Sequence, residues 1–216
     1  MNGIVISAFG DKAIAEGQKT LEQIHKVWPG VRAELYIYPE MERPMHVKIH
    51  GIRDSEFDRT LLLDADTWVV EPTPELFDVL DWFDIALAHA PWRQVYDVNV
   101  PLAFPEHNGG VVAFKKSDEL DRVIDRWEAA FLKDSVERGE ERRVGWFPSQ
   151  ATLRKSLYES SLRICTLPPE YNWRGTGYVH HSVKIVHKRP AREEEAYRIN
   201  AVGGPRIATL HEVFCV

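Results

Sequence analysis

Two carboxylates, Asp64 and Asp66, directly follow three leucines at positions 61–63 and are the residues best suited to chemistry. A short run that is entirely apolar predicts a strand covered on both faces, at the centre of an α/β sheet. Because side chains i and i+2 of an extended chain lie on the same side, both carboxylates can face one ligand. Adjacent negative charges need compensation, and carboxylate oxygens suit Mg²⁺ or Mn²⁺. The alternative is an ordinary strand-end turn with solvated aspartates.

The first forty residues predict the unit that would carry such a site. An apolar, β-branched run at 3–9 indicates a strand, helical spacing over 12–28 indicates a helix, and 34–38 indicates a second strand. Pro29 and Gly30 end the helix. This β-α-β order implies a parallel crossover, and open α/β sheets bind ligands beyond the carboxyl ends of their strands.

The turn after the first strand is therefore predicted to lie at the ligand edge. Phe9 and Gly10 offer an aromatic face and free backbone to a base, Asp11 lies in the same turn, and Lys12 offers a cation to a phosphate. Neither the G-x-G-x-x-G fingerprint nor the P-loop pattern is present here, so an ordinary loop is the alternative.

The rest of the chain continues to alternate strands with helices. Strands are predicted at 84–90, 111–114, 162–167 and 183–187, and helices are predicted over 117–133 and from a start within 146–150 onward. A long irregular segment at 91–106 and an aromatic loop at 168–175 are candidates for surfaces around a ligand. The order predicts an α/β domain with a central, mostly parallel sheet flanked by helices.

Two further motifs carry polar groups at predicted strand ends. Asn108, Gly109 and Gly110 are predicted to form a turn, where glycine permits close approach of a ligand and the Asn108 amide can hydrogen-bond to it. A tight turn without a ligand is the alternative. His187 ends the last predicted strand and is followed by Lys188.

Composition restricts the class of protein. The chain has 216 residues, 44% hydrophobic and 28% charged, which predicts one globular domain over 1–216. With a net charge of −6 and dispersed basic residues, we expect no nucleic-acid partner, whereas a small phosphorylated ligand held through a metal is compatible. Cys165 and Cys215 are too few for a disulfide framework, and no run has the length and apolarity of a membrane span, so we expect a cytoplasmic protein without a transmembrane segment.

Taken in order, these features resemble those of glycosyltransferases with the GT-A fold. The resemblance covers roughly residues 3–190, and the order of its motifs is more specific than any one of them. It rests on the β-α-β opening, the Asp64-Ala65-Asp66 strand end, the Asn108-Gly109-Gly110 turn, the Pro-Pro-Glu-Tyr-Asn-Trp loop and the terminal His187. The chain is most similar to the glycogenin and lipopolysaccharide galactosyltransferase type and to related nucleotide-diphospho-sugar transferases.

The resemblance implies a single Rossmann-like domain that moves a sugar from a nucleotide-diphosphate sugar, a UDP-sugar, with retention. Mn²⁺, or Mg²⁺, would be bound by Asp64, Asp66 and His187, and mixed carboxylate and imidazole ligation suits Mn²⁺ better. The donor would be contacted by Phe9, Gly10, Lys12, Asp64, Asn108, Gly109, Gly110 and Lys188. The catalytic group would comprise Asp66, Asn108 and Gln150.

Position 149 departs from the resemblance. Relatives usually have an Asp-Gln pair there, whereas this chain has Ser149 followed by Gln150. A candidate carboxylate for handling the sugar is therefore missing, which predicts either catalysis by other groups or low activity. The acceptor classes left open are a glycan, a lipid-linked sugar and a protein.

Two other functions fit parts of the sequence. Leu-Leu-Leu-Asp-Ala-Asp-Thr satisfies the nucleophile motif of phosphatases of the haloacid dehalogenase type, in which Asp64 would attack phosphorus, although that motif normally lies on the first strand. The second is an inactive relative that binds a nucleotide-sugar or a glycan without transferring it, and Ser149 keeps this alternative open.

Overall fold

The computed structural model describes residues 1–40, 46–90, 99–137, 149–175, 178–179, 182–187, 193–202 and 206–207. Its strands are β1 (Asn2–Phe9), β2 (Ala33–Tyr38), β3 (Arg59–Asp64), β4 (Thr67–Val69), β5 (Ile85–His89), β6 (His107–Lys115), β7 (Ile164–Leu167), β8 (Tyr178–Val179), β9 (Ile185–His187) and β10 (Arg206–Ile207). Its α-helices are α1 (Asp11–Val27), α2 (His46–Asp54), α3 (Glu75–Asp78), α4 (Asp118–Glu137), α5 (Ser149–Tyr158) and α6 (Glu193–Val202). Short 3₁₀ turns follow α3 at Val79–Asp81 and follow β7 at Pro169–Asn172.

Six strands form the central sheet, in the order β2-β1-β3-β6-β5-β7. Strand β1 is parallel to β2 and β3, β5 is parallel to β7, and β6 is antiparallel to both of its neighbours. The prediction of an α/β fold with a mostly parallel sheet flanked by helices is therefore confirmed. Because β6 runs in reverse, its amino end lies at the same edge of the sheet as the carboxyl ends of the other strands.

The leucine run of β3 is covered on both faces, as the sequence predicts. Leu61 and Leu63 belong to one buried cluster, which includes Ile24 of α1. Leu62 points to the other side, into a second cluster that includes Trp127 of α4. All three leucines are at most 1% exposed, so β3 is fixed between two hydrophobic layers and carries Asp64 at its end.

A two-stranded ribbon of β4 and β9 lies beyond the end of β3. These strands pair antiparallel, and Thr67 lies opposite His187. Behind the ribbon, a third buried cluster includes Trp173, Val186 and Ala196 of α6. The pairing brings the last predicted strand of the chain back to the acidic end of β3, across 120 residues of sequence.

The turn predicted at 108–110 is wrong, because these residues lie inside β6. This strand starts at His107, and the chain is buried from that point, including the two glycines. A polar, glycine-rich stretch is typical of a turn, but here it continues β6 beyond its pairing with β3, which ends at Val111, and across a register shift against β5.

We expect Leu62→Ala to lower the free energy of unfolding by about 2–5 kcal/mol, because it opens a cavity in a layer with no solvent access. The matched control is Leu102→Ala, since Leu102 is 79% exposed and its truncation should cost less than about 0.5 kcal/mol. Urea unfolding measures both. Equal losses in the two variants would contradict the two-layer packing of β3.

Candidate metal centre and adjoining cavity

Asp64, Asp66 and His187 come together at the end of β3. Their nearest potential ligand atoms all lie within 4.8 Å of one another. His187 Nε2 lies 3.3 Å from Asp64 Oδ2 and 3.5 Å from Asp66 Oδ1, and the His187 side chain is 5% exposed. Within the described ranges, this is the one group of three histidine, cysteine or acidic side chains that could hold a metal ion.

The two aspartates converge for a different reason from the one predicted. The strand does not continue through them: β3 ends at Asp64, and Ala65 and Asp66 form a turn before β4. Thr67 Oγ1 donates to the Asp64 carbonyl at 2.8 Å, and Thr20 Oγ1 lies 2.9 Å from the Ala65 carbonyl. The turn, held from both sides, therefore replaces the strand alternation on which the prediction depended.

The imidazole of His187 packs directly against the backbone of Gly110. A Cβ atom built on Gly110 would overlap three atoms of the ring, whereas a Cβ atom on Gly109 meets nothing nearer than 3.8 Å. Gly110 is thus required by close approach of a side chain, and Gly109 is not under the same restriction.

We expect Gly110→Ala to abolish binding of a divalent cation, because the new methyl group displaces the His187 ring from Asp64 and Asp66. Gly109→Ala is the matched control and should bind Mn²⁺ like the wild-type chain. Titration of Mn²⁺, followed by the electron paramagnetic resonance (EPR) signal of the free ion, distinguishes the two. Normal binding by a folded Gly110→Ala variant would show that His187 is not a ligand.

Lys48 of α2 is a member of the site that the sequence did not indicate. Its Nζ donates to Asp64 Oδ2 at 2.7 Å and to the Gly109 carbonyl at 3.2 Å, and its side chain is 14% exposed. Burial alone would raise the pKa of Asp64, but the Lys48 ammonium and the His187 ring outweigh it, so the pKa lies well below its usual range. Sixteen residues separate Lys48 from Asp64, and no periodicity links them.

We expect Lys48→Met to tighten binding of Mn²⁺ in the absence of nucleotide, on the order of tenfold. A unit charge a few ångströms from a divalent ion repels it by about 2 kcal/mol even at the dielectric constant of water. The matched control is Lys19→Met, on the exposed side of α1. Isothermal titration calorimetry measures both affinities, and weaker binding after loss of Lys48 would mean that the ammonium supports the ion.

A hydrogen-bonded chain of polar side chains leads away from His187. Its Nδ1 lies 2.9 Å from Asn172 Oδ1, and Asn172 Nδ2 donates to Asn108 Oδ1 at 2.9 Å. Asn108 Nδ2 donates to Gln150 Oε1 at 2.6 Å, and Gln150 Nε2 donates to Glu106 Oε1 at 3.3 Å. The chain connects Asn108 and Gln150, both predicted site residues, with Asn172 and Glu106, which were not predicted.

A cavity of about 470 Å³ opens between the carboxyl ends of β1 and β3 and the start of α1. Its lining includes Phe9, Gly10, Lys12, Asp64 and Asp66, so the predicted nucleotide residues and the acidic pair share one cavity. Gly10 immediately precedes α1 with φ of 81°, which favours glycine.

Ser7 also lines this cavity, and its hydroxyl is buried without a hydrogen-bond partner among the described residues. It lies on β1 directly beside Asp64 of β3. A buried, unpartnered hydroxyl is costly, so Ser7 is a candidate to hydrogen-bond with a ligand in the cavity.

Two residues that the sequence analysis discussed, Ser149 and Cys165, do not line the cavity. Ser149 opens α5 and is 8% exposed, with its carbonyl accepting a hydrogen bond from Trp127 Nε1 at 2.9 Å. Cys165 is partly buried against the first hydrophobic cluster. Lys188, Cys215 and the first part of the 91–106 segment lie outside the described residues.

Comparisons with known proteins identify solved structures that have a similar fold. No protein-family model matches the sequence, and no curated protein is similar to it in sequence. Among solved structures, an active-site mutant of LgtC matches with a TM-score of 0.60 and 11% identity, over 92% of this chain and 93% of the other. The galactosyltransferase LgtC in complex with donor and acceptor sugar analogues matches with a TM-score of 0.56 and 10% identity, over 91% and 92%.

A glycosyltransferase involved in glycosylation of the major capsid of PBCV-1 matches equally well, with a TM-score of 0.56 and 16% identity, over 92% of this chain and 99% of the other. The chain therefore has the GT-A fold of these glycosyltransferases, and the predicted resemblance is confirmed at the level of the fold. Among the described residues, no helix has the length and apolarity needed to cross a membrane.

Proposed function

We propose that the chain is a metal-dependent glycosyltransferase that moves a sugar from a nucleoside-diphosphate sugar, UDP-linked, to an acceptor hydroxyl with retention. The whole of 1–216 would act as one transferase domain. The observation that carries the proposal is the placement of Asp64, Asp66 and His187 beside the cavity, at the ligand edge of a GT-A sheet.

The three side chains fit a divalent cation. They supply two carboxylates and an imidazole, a set suited to Mn²⁺. Because Gly110 has no side chain, the His187 ring can pack against its backbone and lie close to both carboxylates. Bound there, the cation would neutralise charge that accumulates on the departing nucleoside diphosphate.

The cavity residues would hold the nucleotide. Phe9 and Gly10 would contact the base, and Lys12 would face phosphate. Ser7 would give its unpartnered hydroxyl to the nucleoside, which explains why a buried polar group is tolerated there. Lys188 would extend the phosphate contacts.

The sugar end would lie on the β6 side of the metal centre. Lys48 already faces Asp64 and the Gly109 carbonyl, so it would turn to the diphosphate when a cation takes over Asp64. Gln150 is partly exposed and would orient the donor sugar beside Asp66 and Asn108. Positive charge develops at the anomeric carbon as the diphosphate leaves, and acceptor oxygens oriented toward it would stabilise that charge.

We expect UDP and a UDP-sugar to raise the melting temperature only when Mn²⁺ is present. A ligand at a hundred times its Kd stabilises by about 2.7 kcal/mol, which corresponds to roughly 5–10 °C for a chain of this size. Asp66→Asn should remove the shift and leave the melting temperature of the free protein nearly unchanged. The matched control is Asp78→Asn, an exposed position of α3, which should keep the full shift.

Two results would contradict the proposal. A full, Mn²⁺-dependent shift in Asp66→Asn would show that this aspartate is not part of the site. The absence of a shift with every nucleotide tested would show that the chain does not bind a nucleotide-sugar donor. Testing several nucleotides also identifies the base.

Ser149 favours a second candidate, an inactive relative that binds the donor without transferring the sugar. It predicts the same Mn²⁺-dependent shift but no release of free sugar from the donor on long incubation. Slow donor hydrolysis, lost in Asp66→Asn, would exclude it. The phosphatase alternative has less support, since Asp64 lies on the third strand of a GT-A fold; a phosphorylated Asp64 would restore it.

A further inference from the structure

In the polar chain behind His187, one hydrogen bond has a donor that is known without any assignment of amide atoms. The backbone N–H of Gly110 donates to the Asn108 side chain at 2.9 Å, and a backbone N–H can only donate. The oxygen and nitrogen of a side-chain amide are otherwise assigned from their partners. Gly110 therefore requires that the Asn108 atom facing it is Oδ1.

This first assignment determines those that follow. Because Asn108 Oδ1 accepts, the Asn172 atom 2.9 Å from it must be the donor Nδ2. Asn172 then turns its Oδ1 to His187 Nδ1, 2.9 Å away, and an amide oxygen can only accept. His187 Nδ1 must therefore carry a proton, and Nε2 is the ring nitrogen available to a cation.

The opposite end of the chain is consistent with this direction. With Oδ1 toward Gly110, Asn108 presents Nδ2 to Gln150 Oε1 at 2.6 Å, and Gln150 presents Nε2 to Glu106 Oε1 at 3.3 Å. Asn108, Asn172 and Glu106 are each at most 5% exposed, so water does not compete readily for these bonds. Both ends thus agree on one orientation of every amide.

We propose that Asn108 and Asn172 are positioning residues for the metal centre. They keep a proton on His187 Nδ1, which leaves Nε2, directed toward Asp64 and Asp66, as the nitrogen that binds the cation. The inference rests on the metal role proposed above. It assigns the Asn108 oxygen to this network, because two donors, from Gly110 and Asn172, already occupy it. Partners that orient a metal-binding histidine typically change metal affinity by about 10–100-fold when removed.

The test measures Mn²⁺ affinity without nucleotide, by EPR of the free ion. Asn172→Ala removes the acceptor for His187 Nδ1–H, and we expect binding to weaken by about 10–100-fold. Asn108→Leu, nearly isosteric, frees Asn172 to turn, and should weaken binding in the same direction. Asn108→Asp keeps an oxygen for both Gly110 and Asn172 and loses only the bond to Gln150, so it should bind Mn²⁺ more tightly than Asn108→Leu does.

A further variant separates positioning from a general loss of buried hydrogen bonds. Asn200 bonds to the backbone of Val183 and to Glu71, away from the metal centre. Asn200→Ala should therefore lower the melting temperature and leave Mn²⁺ affinity unchanged. If Asn172→Ala does not fold, the comparison of Asn108→Leu with Asn108→Asp decides the question alone.

The outcomes distinguish this inference from the proposed function. If the wild-type chain binds Mn²⁺ and His187→Ala does not, but Asn172→Ala and Asn108→Leu bind normally, only the positioning role is overturned. Equal weakening by Asn108→Leu and Asn108→Asp also overturns it, because the oxygen would then be irrelevant. If the wild-type chain binds no Mn²⁺, both the inference and the metal role are overturned.

Discussion

Asp64 and Asp66 place two negative charges at the end of a buried strand, and the surrounding residues must compensate them with positive charge. Asp64 is carried there by β3, whose leucines are sealed between two hydrophobic layers, so the carboxylate cannot withdraw to solvent. Lys48 supplies one positive charge against the two carboxylates. Removing charges from water is costly unless they are paired, and the remaining negative charge is what a divalent cation would balance.

The reversal of β6 is what makes the centre possible. In an antiparallel position between β3 and β5, this strand presents its amino end at the ligand edge, so Gly109 meets Lys48 and Gly110 meets His187. Gly110 then meets two demands at once. It lacks the Cβ atom that would displace His187, and its N–H directs the Asn108 amide. The backbone of one residue thus sets both the place of the imidazole and the direction of its hydrogen bond.

The sequence was sufficient for features that depend on local pattern. The leucine run predicted a two-sided strand ending in Asp64, and the β-α-β opening predicted the edge at which Phe9 and Lys12 lie. The position of His187 beside the two aspartates was expected only through resemblance, since the pairing of β4 with β9 spans 120 residues. Hydrophobic periodicity contains no information about which distant strands pair.

The features that escaped prediction depend on tertiary contacts between polar side chains. Lys48 reads as one more charged residue on a helix, and Asn172 as one polar residue in an aromatic loop, until the fold brings them to Asp64 and His187. The error at 108–110 has the same origin, because a register shift between β5 and β6 keeps this turn-like stretch extended, and local composition does not predict it. The hydrophobic pattern of the sequence predicts the strands and helices well, whereas hydrogen-bond networks become visible only once the fold is known.

The difference between the hydrophobic scaffold and the polar site also explains how the chain shares a fold with proteins of only 10–16% identity. Buried layers accept many apolar combinations of similar volume, so sequence can diverge widely while the sheet order persists. A site has less freedom, because it needs particular groups at particular distances. The Ser149 departure is best weighed in this way: although helix α5 has no aspartate there, Glu106 reaches the Gln150 amide from the start of β6. An acidic side chain therefore contacts this glutamine from a different part of the fold, although Glu106 itself is buried.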